Sequence, residues 1–234
     1  MRRGRVETAT LGIMKVLVPT PLGDARITRF PAVGACRAVL MLGHGAGGGI
    51  EAPDLRALAA GLPASGIEVV LVEQPWRVAG KRLGPAPKTL DVAWRAVVEW
   101  WRANASPGPG DAVDSAGTAP VIVGGRSAGA RVACRTGVDT GARGVLALAF
   151  PLHPPGKPEK SRIDELIGSG LPTLVVQGAA DPFGTPAEYP LLPPGHRLVA
   201  LPAGDHSFAV RKGQTPVVED IARVVAEWID SLLG

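Results

Sequence analysis

The fold is decided by the stretch "VIVGGRSAGARVA", Val121 to Ala133. Its β-branched apolar start reads as a strand buried on both faces. Ser127 follows, between Gly125 and Gly129, and a helix-like pattern begins directly after it. In a chain with 31 glycines in 234 residues, a chance Gly-x-Ser-x-Gly is uncommon enough for the pattern to be suggestive, and common enough that it is not decisive. The context is more specific. A serine between a strand and a helix is forced into a sharp, strained turn, and side chains two residues before or after it would strike the neighbouring elements. That turn lifts the hydroxyl to the upper edge of the sheet, at a helix N-terminus, where the dipole and the Ala128 amide face any developing negative charge.

Outward from this joint, strand-length apolar runs alternate with helical patterns. "IMKVLV" and "DARITRF" read as a strand pair, and "CRAVLML", "IEVVLVEQP", "APVIVGG", "GVLALAFPL", "PTLVVQG" and "HRLVALP" as further strands. Between them, "APDLRALAAGL" reads as a helix, and Leu90, Trp94, Val97, Val98 and Trp101 lie on one face of another. Ser161 is the expected N-cap of a short helix, with an acidic residue three positions on. Thr215-Pro216 is the expected start of the last helix, whose buried stripe is Val217, Ile221, Val224, Val225, Trp228 and Leu232. This rhythm predicts an α/β fold, a mostly parallel sheet with helices on both faces, formed as a single domain over residues 1–234. The segment 104–118, rich in small and polar residues, is expected to be a mobile surface loop inside that domain.

Composition bounds the function. With 46% hydrophobic and 20% charged residues the chain is ordinary for a soluble globular protein. Its net charge is +4, but apart from "MRRGR" the arginines are scattered, which suits a solvated surface better than a nucleic-acid stripe. Cys36 and Cys134 have neither disulfide-framework nor metal spacing. No signal-peptide core follows the basic N-terminus, and no apolar run approaches the roughly 18 residues that span a bilayer. The expectation is a cytoplasmic monomer or small oligomer that meets a small-molecule substrate, with no nucleic-acid or membrane partner and no metal or organic cofactor.

A serine hydroxyl needs a base. Of the four histidines, His44 lies in a loop after a strand and His196 starts a strand at its wrong end, whereas His153 and His206 both follow strand ends. A base needs a partner that fixes its tautomer. Asp181, in the loop after the preceding strand, is better placed than Asp205, because sequence neighbours rarely present side chains to one another. "GHGAGGG", Gly43 to Gly49, is the expected second source of oxyanion donors, with the Ala46 amide preferred and Gly45 or Gly47 as alternatives. Losing one such donor typically costs about 3–4 kcal/mol of transition-state stabilisation. The loop lacks the Lys-Ser/Thr of a phosphate cradle and the spacing of a dinucleotide fingerprint. Trp76, Arg77, Gly45 and His153 are candidates for contact with substrate: Arg77 through a carboxylate and Trp76 as a wall, with a packed tryptophan and a structural arginine as the equal alternative, and His153 with a structural hydrogen bond as the stronger alternative.

"GHGAGGG", "GGRSAG", "QGAADPFG" and "GDHSF", in that order, resemble the α/β-hydrolase fold from about residue 35 to the end. "QPWRVAGK" and "FPLHPPGKP" further resemble a small hydrolase-like family, without a cap domain and related to dienelactone hydrolases. That family includes a testis-expressed protein and a subunit of a nuclear histone acetyltransferase complex. The resemblance implies Ser127, Asp181 and His206 as a triad. It also implies that the fold can serve as a non-catalytic scaffold, which is the alternative to a serine hydrolase of small esters or thioesters. Only "PLHPPGKPEKSRIDELIGSG" separates two strands where many hydrolases insert a cap, so an open site is expected. Nothing marks a peptide groove, and a serine in place of cysteine or aspartate argues against close versions of dienelactone or haloalkane chemistry.

Overall fold

A computed structural model describes residues 5–10, 13–82, 84–105 and 119–234. The apolar runs form a nine-stranded sheet: β1 (Arg5–Thr10), β2 (Ile13–Thr20), β3 (Gly23–Phe30), β4 (Ala38–Gly43), β5 (Ile67–Glu73), β6 (Val121–Arg126), β7 (Val145–Leu148), β8 (Thr173–Gly178) and β9 (His196–Leu201). Their spatial order is β1-β2-β3-β5-β4-β6-β7-β8-β9. β1, β2, β3 and β5 pair antiparallel, and every pair from β5 through β4 to β9 is parallel. The helices are α1 (Pro53–Gly61), the single turn α2 (Pro75–Val78), α3 (Pro87–Asn104), α4 (Ala128–Thr136), the short α5 (Ile163–Ile167) and α6 (Val218–Leu233).

The central strands lack polar alternation because both of their faces are covered. Every residue of β4, β7 and β8 is buried. Val39 and Met41 join one core with Trp94, Val97, Val98 and Trp101 of α3 and Ala130, Ala133 and Cys134 of α4. Ala38, Leu40 and Leu42, which point the other way, join a second core with Leu55 and Leu58 of α1 and Ile221, Val225 and Trp228 of α6. From β4 the chain crosses to β5 on one side, and β6 later joins β4 on the other, so the order reverses at β4. The register pairs Gly43 with Gly125. The glycine-rich loop and the serine turn therefore leave the sheet side by side at its carboxyl edge, where open α/β sheets bind ligands.

Several expected details differ. β1 carries no apolar signal in "RVETAT", as befits an edge strand that must not advertise an open ladder. Ser161 is not the N-cap of α5, a position held by Arg162; its hydroxyl accepts, from one residue further out, the amide of Ile163, the first residue of the helix, at 3.2 Å. The last helix begins at Val218, two residues later than the Thr215-Pro216 signal implied. Leu232 is only partly buried, and Ile229 completes the stripe. The expected loop at 104–118 lies outside the described residues, apart from Asn104, which ends α3, and Ala105. No helix among the described residues is long and apolar enough to cross a membrane.

Candidate active site

Ser127 joins β6 to α4 with φ 52° and ψ −113°, a strained conformation for any residue with a side chain. The close approach of β4 enforces it. A Cβ on either Gly125 or Gly129 would drive into the Gly43 carbonyl oxygen. Ser127 occupies the N-cap position of α4, yet its side chain makes no capping bond. The hydroxyl is directed to His206 instead, with Oγ 2.8 Å from Nε2.

His206 follows β9, and Asp181 follows β8. The two loops are laced together by the Ala180 amide, which donates to the Gly204 carbonyl. His206 Nδ1 lies 2.8 Å from Asp181 Oδ2 and 3.1 Å from Oδ1. Asp181 is fully buried and collects further donors: the Phe183 amide on Oδ1 and Gln177 Nε2 on Oδ2, each at 2.8 Å. Gln177 Nε2 also donates to the Gly184 carbonyl at 2.8 Å, an acceptor only, which fixes that amide's orientation, and the Tyr189 hydroxyl lies 3.1 Å from Gln177 Oε1 and 3.0 Å from the Phe150 carbonyl. Phe183 stacks on the imidazole with ring centroids 4.1 Å apart. Asp205 is occupied by its own turn, accepting from the amides of Ser207 and Ala209. Sequence reasoning missed Gln177, Phe183 and Tyr189; "VVQGAADPF" marks the turn but not what packs on it.

The structure places the other candidates as follows. Ala46 and Ala128 line one cavity of about 60 Å³, together with Gly45, His44, Gln74, Trp76 and Trp94. Gly45 abuts the serine turn, since a Cβ there would lie 3.5 Å from Ser127 Cβ. His44 is buried, and its Nε2 accepts from the Gln74 amide at 3.2 Å. The ring proton therefore sits on Nδ1 and is donated to the Gly45 carbonyl at 2.8 Å. Burial pushes the His44 pKa down, against the pull of that carbonyl, and keeps the ring neutral. Because the Gly45 carbonyl and the Ala46 amide belong to one peptide plane, the ring of His44 turns the Ala46 N–H away from itself.

Trp76 stands edge-on to His44, with ring centroids 5.5 Å apart. Arg77 Nη2 lies 3.2 Å from Glu51 Oε1 in an exposed ion pair, the structural alternative to a substrate carboxylate. His153 is structural, its ring held at 2.9 Å by the Pro154 carbonyl and at 2.9 Å by Glu188, contacts that raise its pKa. His196 packs on Ser169 and the Leu166 carbonyl. Burial pushes the Cys134 thiol up to about 12 and leaves it inert.

One further pair carried no sequence signal. Arg126 precedes Ser127, and its Nε stands 3.2 Å from Asp54 Oδ2 while Nη2 donates to the His206 carbonyl. Asp54 is fully buried in the first turn of α1. The guanidinium thus ties the histidine loop to α1 across the serine turn. Burial raises the Asp54 pKa, and Arg126 pulls it back down. Replacing Arg126 by Met removes that pull and leaves a buried carboxyl that is stable only when protonated. A raised folded pKa contributes stability below the unfolded value near 4, lost as pH rises through the folded value. Arg126→Met is therefore expected to lose more stability at pH 8 than at pH 5 in urea titrations, by about 3 kcal/mol at the higher pH. The double variant with Asp54→Asn should show no such extra slope. An equal loss at both pH values would mean that the pair is not the strut described here.

Residues 36–232 match the family model described as an alpha/beta hydrolase domain. A serine hydrolase without a lid from Xanthomonas campestris superposes with a TM-score of 0.67 at 20% identity, covering 95% of this chain and 97% of that one. A dienelactone hydrolase from Anabaena variabilis gives 0.68 at 16% identity, over 98% and 99% of the two chains. Est1E from Butyrivibrio proteoclasticus gives 0.67 at 13%, over 94% and 98%. With the serine turn, the glycine-rich loop and the strand order all in agreement, the chain belongs to the alpha/beta hydrolase domain family.

Proposed function

We propose that this protein is a serine hydrolase that cleaves small esters or thioesters through an acyl-enzyme. The observation that carries the reading is the continuous line from Ser127 Oγ to His206 Nε2 at 2.8 Å and from His206 Nδ1 to Asp181 Oδ2 at 2.8 Å. Ser127 attacks the carbonyl carbon as its proton passes to His206 Nε2, and Asp181 holds the imidazolium that forms. The amides of Ala46 and Ala128 take the oxyanion. His206 then gives its proton to the departing alcohol or thiol. Water, deprotonated by the same nitrogen, releases the acid and restores the serine. The stretch between β7 and β8 holds only a 3-10 turn and α5, and the His206 side chain remains 19% exposed, which favours small or protruding substrates. The structural neighbours named as esterases and as a dienelactone hydrolase fit ester chemistry.

Labelling by a fluorophosphonate probe tests the proposal. The wild type is expected to label and Ser127→Ala not to. Equal labelling of both, or no labelling of the wild type while a control hydrolase reacts, would favour a non-catalytic scaffold with this fold.

A further inference from the structure

Arg126 stands between Gly125 and Ser127, and its side chain meets three separate parts of the site. Nε forms an ion pair with Asp54 Oδ2 at 3.2 Å. Nη2 donates to the backbone carbonyl of His206. The glycine-rich loop lies across the stem and head of the same side chain: a Cβ on Gly45 would stand 3.8 Å from Arg126 Cγ, 3.8 Å from Nη1 and 3.5 Å from Ser127 Cβ. Asp54 is fully buried in α1 and the Arg126 side chain is 11% exposed, so the pair is little screened by solvent. A guanidinium is a planar fork with its donors in fixed directions. Once Nε is set against a carboxylate held in a helix, the direction of Nη2 is set as well.

The loop that carries His206 is braced from within and toward Asp181. The Asp205 carboxylate accepts from the amides of Ser207 and Ala209, the Ala180 amide donates to the Gly204 carbonyl, and the imidazole lies on Asp181. Those contacts hold base and acid together as one unit and do not by themselves set its distance from Ser127. The Nη2 contact joins the backbone of that unit to the residue next to Ser127. On the reading that Ser127 attacks and His206 moves the proton, we propose that Arg126 is a positioning residue, which sets the reach of His206 Nε2 to Ser127 Oγ through the His206 carbonyl, with Asp54 as its anchor. Its role is carried by His206 and not by contact with substrate. The separation it maintains is 2.8 Å. A misplacement of about 1 Å in such a contact costs about 100-fold in rate.

Arg126→Lys provides the test, because lysine keeps a positive charge for Asp54 but replaces the fork with a flexible stem. It is expected to lower kcat for p-nitrophenyl butyrate by about 100-fold while KM changes by less than about threefold, with melting curves checking that the variant folds. Two leaving groups separate positioning from a general loss of structure. p-Nitrophenolate departs without a proton, whereas ethoxide takes one from His206, so ethyl butyrate should lose about tenfold more in kcat/KM than p-nitrophenyl butyrate. A fraction of inactive protein would lower both alike. Should Arg126→Lys not fold, Asp54→Asn/Arg126→Met, from which both charges are gone, is expected to give the same pattern. A kcat within about tenfold of the wild type, or equal losses on the two esters, would overturn the inference. If the wild type labels with a fluorophosphonate but hydrolyses neither ester, the rate of labelling decides: it should fall by about 100-fold in the variant, and an unchanged rate would overturn the inference. A wild type that neither labels nor hydrolyses would instead overturn the serine-hydrolase reading on which the inference rests.

Discussion

Ser127→Ala is expected to lower kcat for a small ester by about a millionfold, leaving only what the oxyanion amides and binding supply. The size of the effect follows from the wiring of the site. The Ser127 hydroxyl is the group placed 2.8 Å from His206 Nε2, and the thiol of Cys134 is buried too deeply to replace it. The same position yields a second readout. At φ 52° and ψ −113° a Cβ is strained, and only glycine adopts such a conformation easily. Ser127→Gly loses the same hydroxyl as Ser127→Ala but relieves the strain, which is worth about 1 kcal/mol. It should therefore melt above the alanine variant by about 2–4 °C while being equally inactive. A Ser127→Ala enzyme within tenfold of the wild type would move the nucleophile elsewhere. A glycine variant melting at or below the alanine variant would mean that the turn stores no strain.

What the sequence revealed and what it hid divide along a physical line. β4 to β8 were legible because strands covered on both faces must be continuously apolar, and Ala38–Gly43 and Thr173–Gly178 are. Ser127, Asp181 and His206 were legible because each sits at a strand's carboxyl end with turn-forming neighbours. The groups that hold them were not. Gln177 meets Asp181 and Tyr189 only once β8 and the loop after it have closed on each other. Asp54 reads as an ordinary acidic residue in a helix's first turn, a common surface choice; its burial under Arg126 depends on α1 packing across the serine turn. The Arg77 ion pair was hidden for the same reason, since nothing local places Glu51 opposite it. Periodicity records which side of an element is buried, but it does not record which distant polar group will be waiting there.

Asp181→Asn is the sharper test of the histidine's orientation, and it should lower kcat by about 10⁴-fold with little change in the fold. Three donors converge on this carboxylate: the Phe183 amide, Gln177 Nε2 and His206 Nδ1. An asparagine has one accepting oxygen and one donating nitrogen. If its oxygen stays with the Phe183 amide, its NH₂ faces both Gln177 Nε2 and the imidazole. Gln177 cannot turn to accept, because its Nε2 also donates to the Gly184 carbonyl at 2.8 Å, and a carbonyl only accepts. The imidazole then accepts at Nδ1, carries its proton on Nε2, and has no lone pair left for the Ser127 hydroxyl. If the side chain flips, the Phe183 amide loses its acceptor and the loop that carries Phe183 against the ring loosens. Gln177→Leu removes one donor without reversing the tautomer, so steady-state kinetics should show a much smaller loss, about tenfold. Activity of Asp181→Asn within tenfold of the wild type would require another group to set the tautomer. The nearest carboxylate in sequence, Asp205, is committed to the amides of Ser207 and Ala209, so such a result would contradict the triad itself and not merely one of its members.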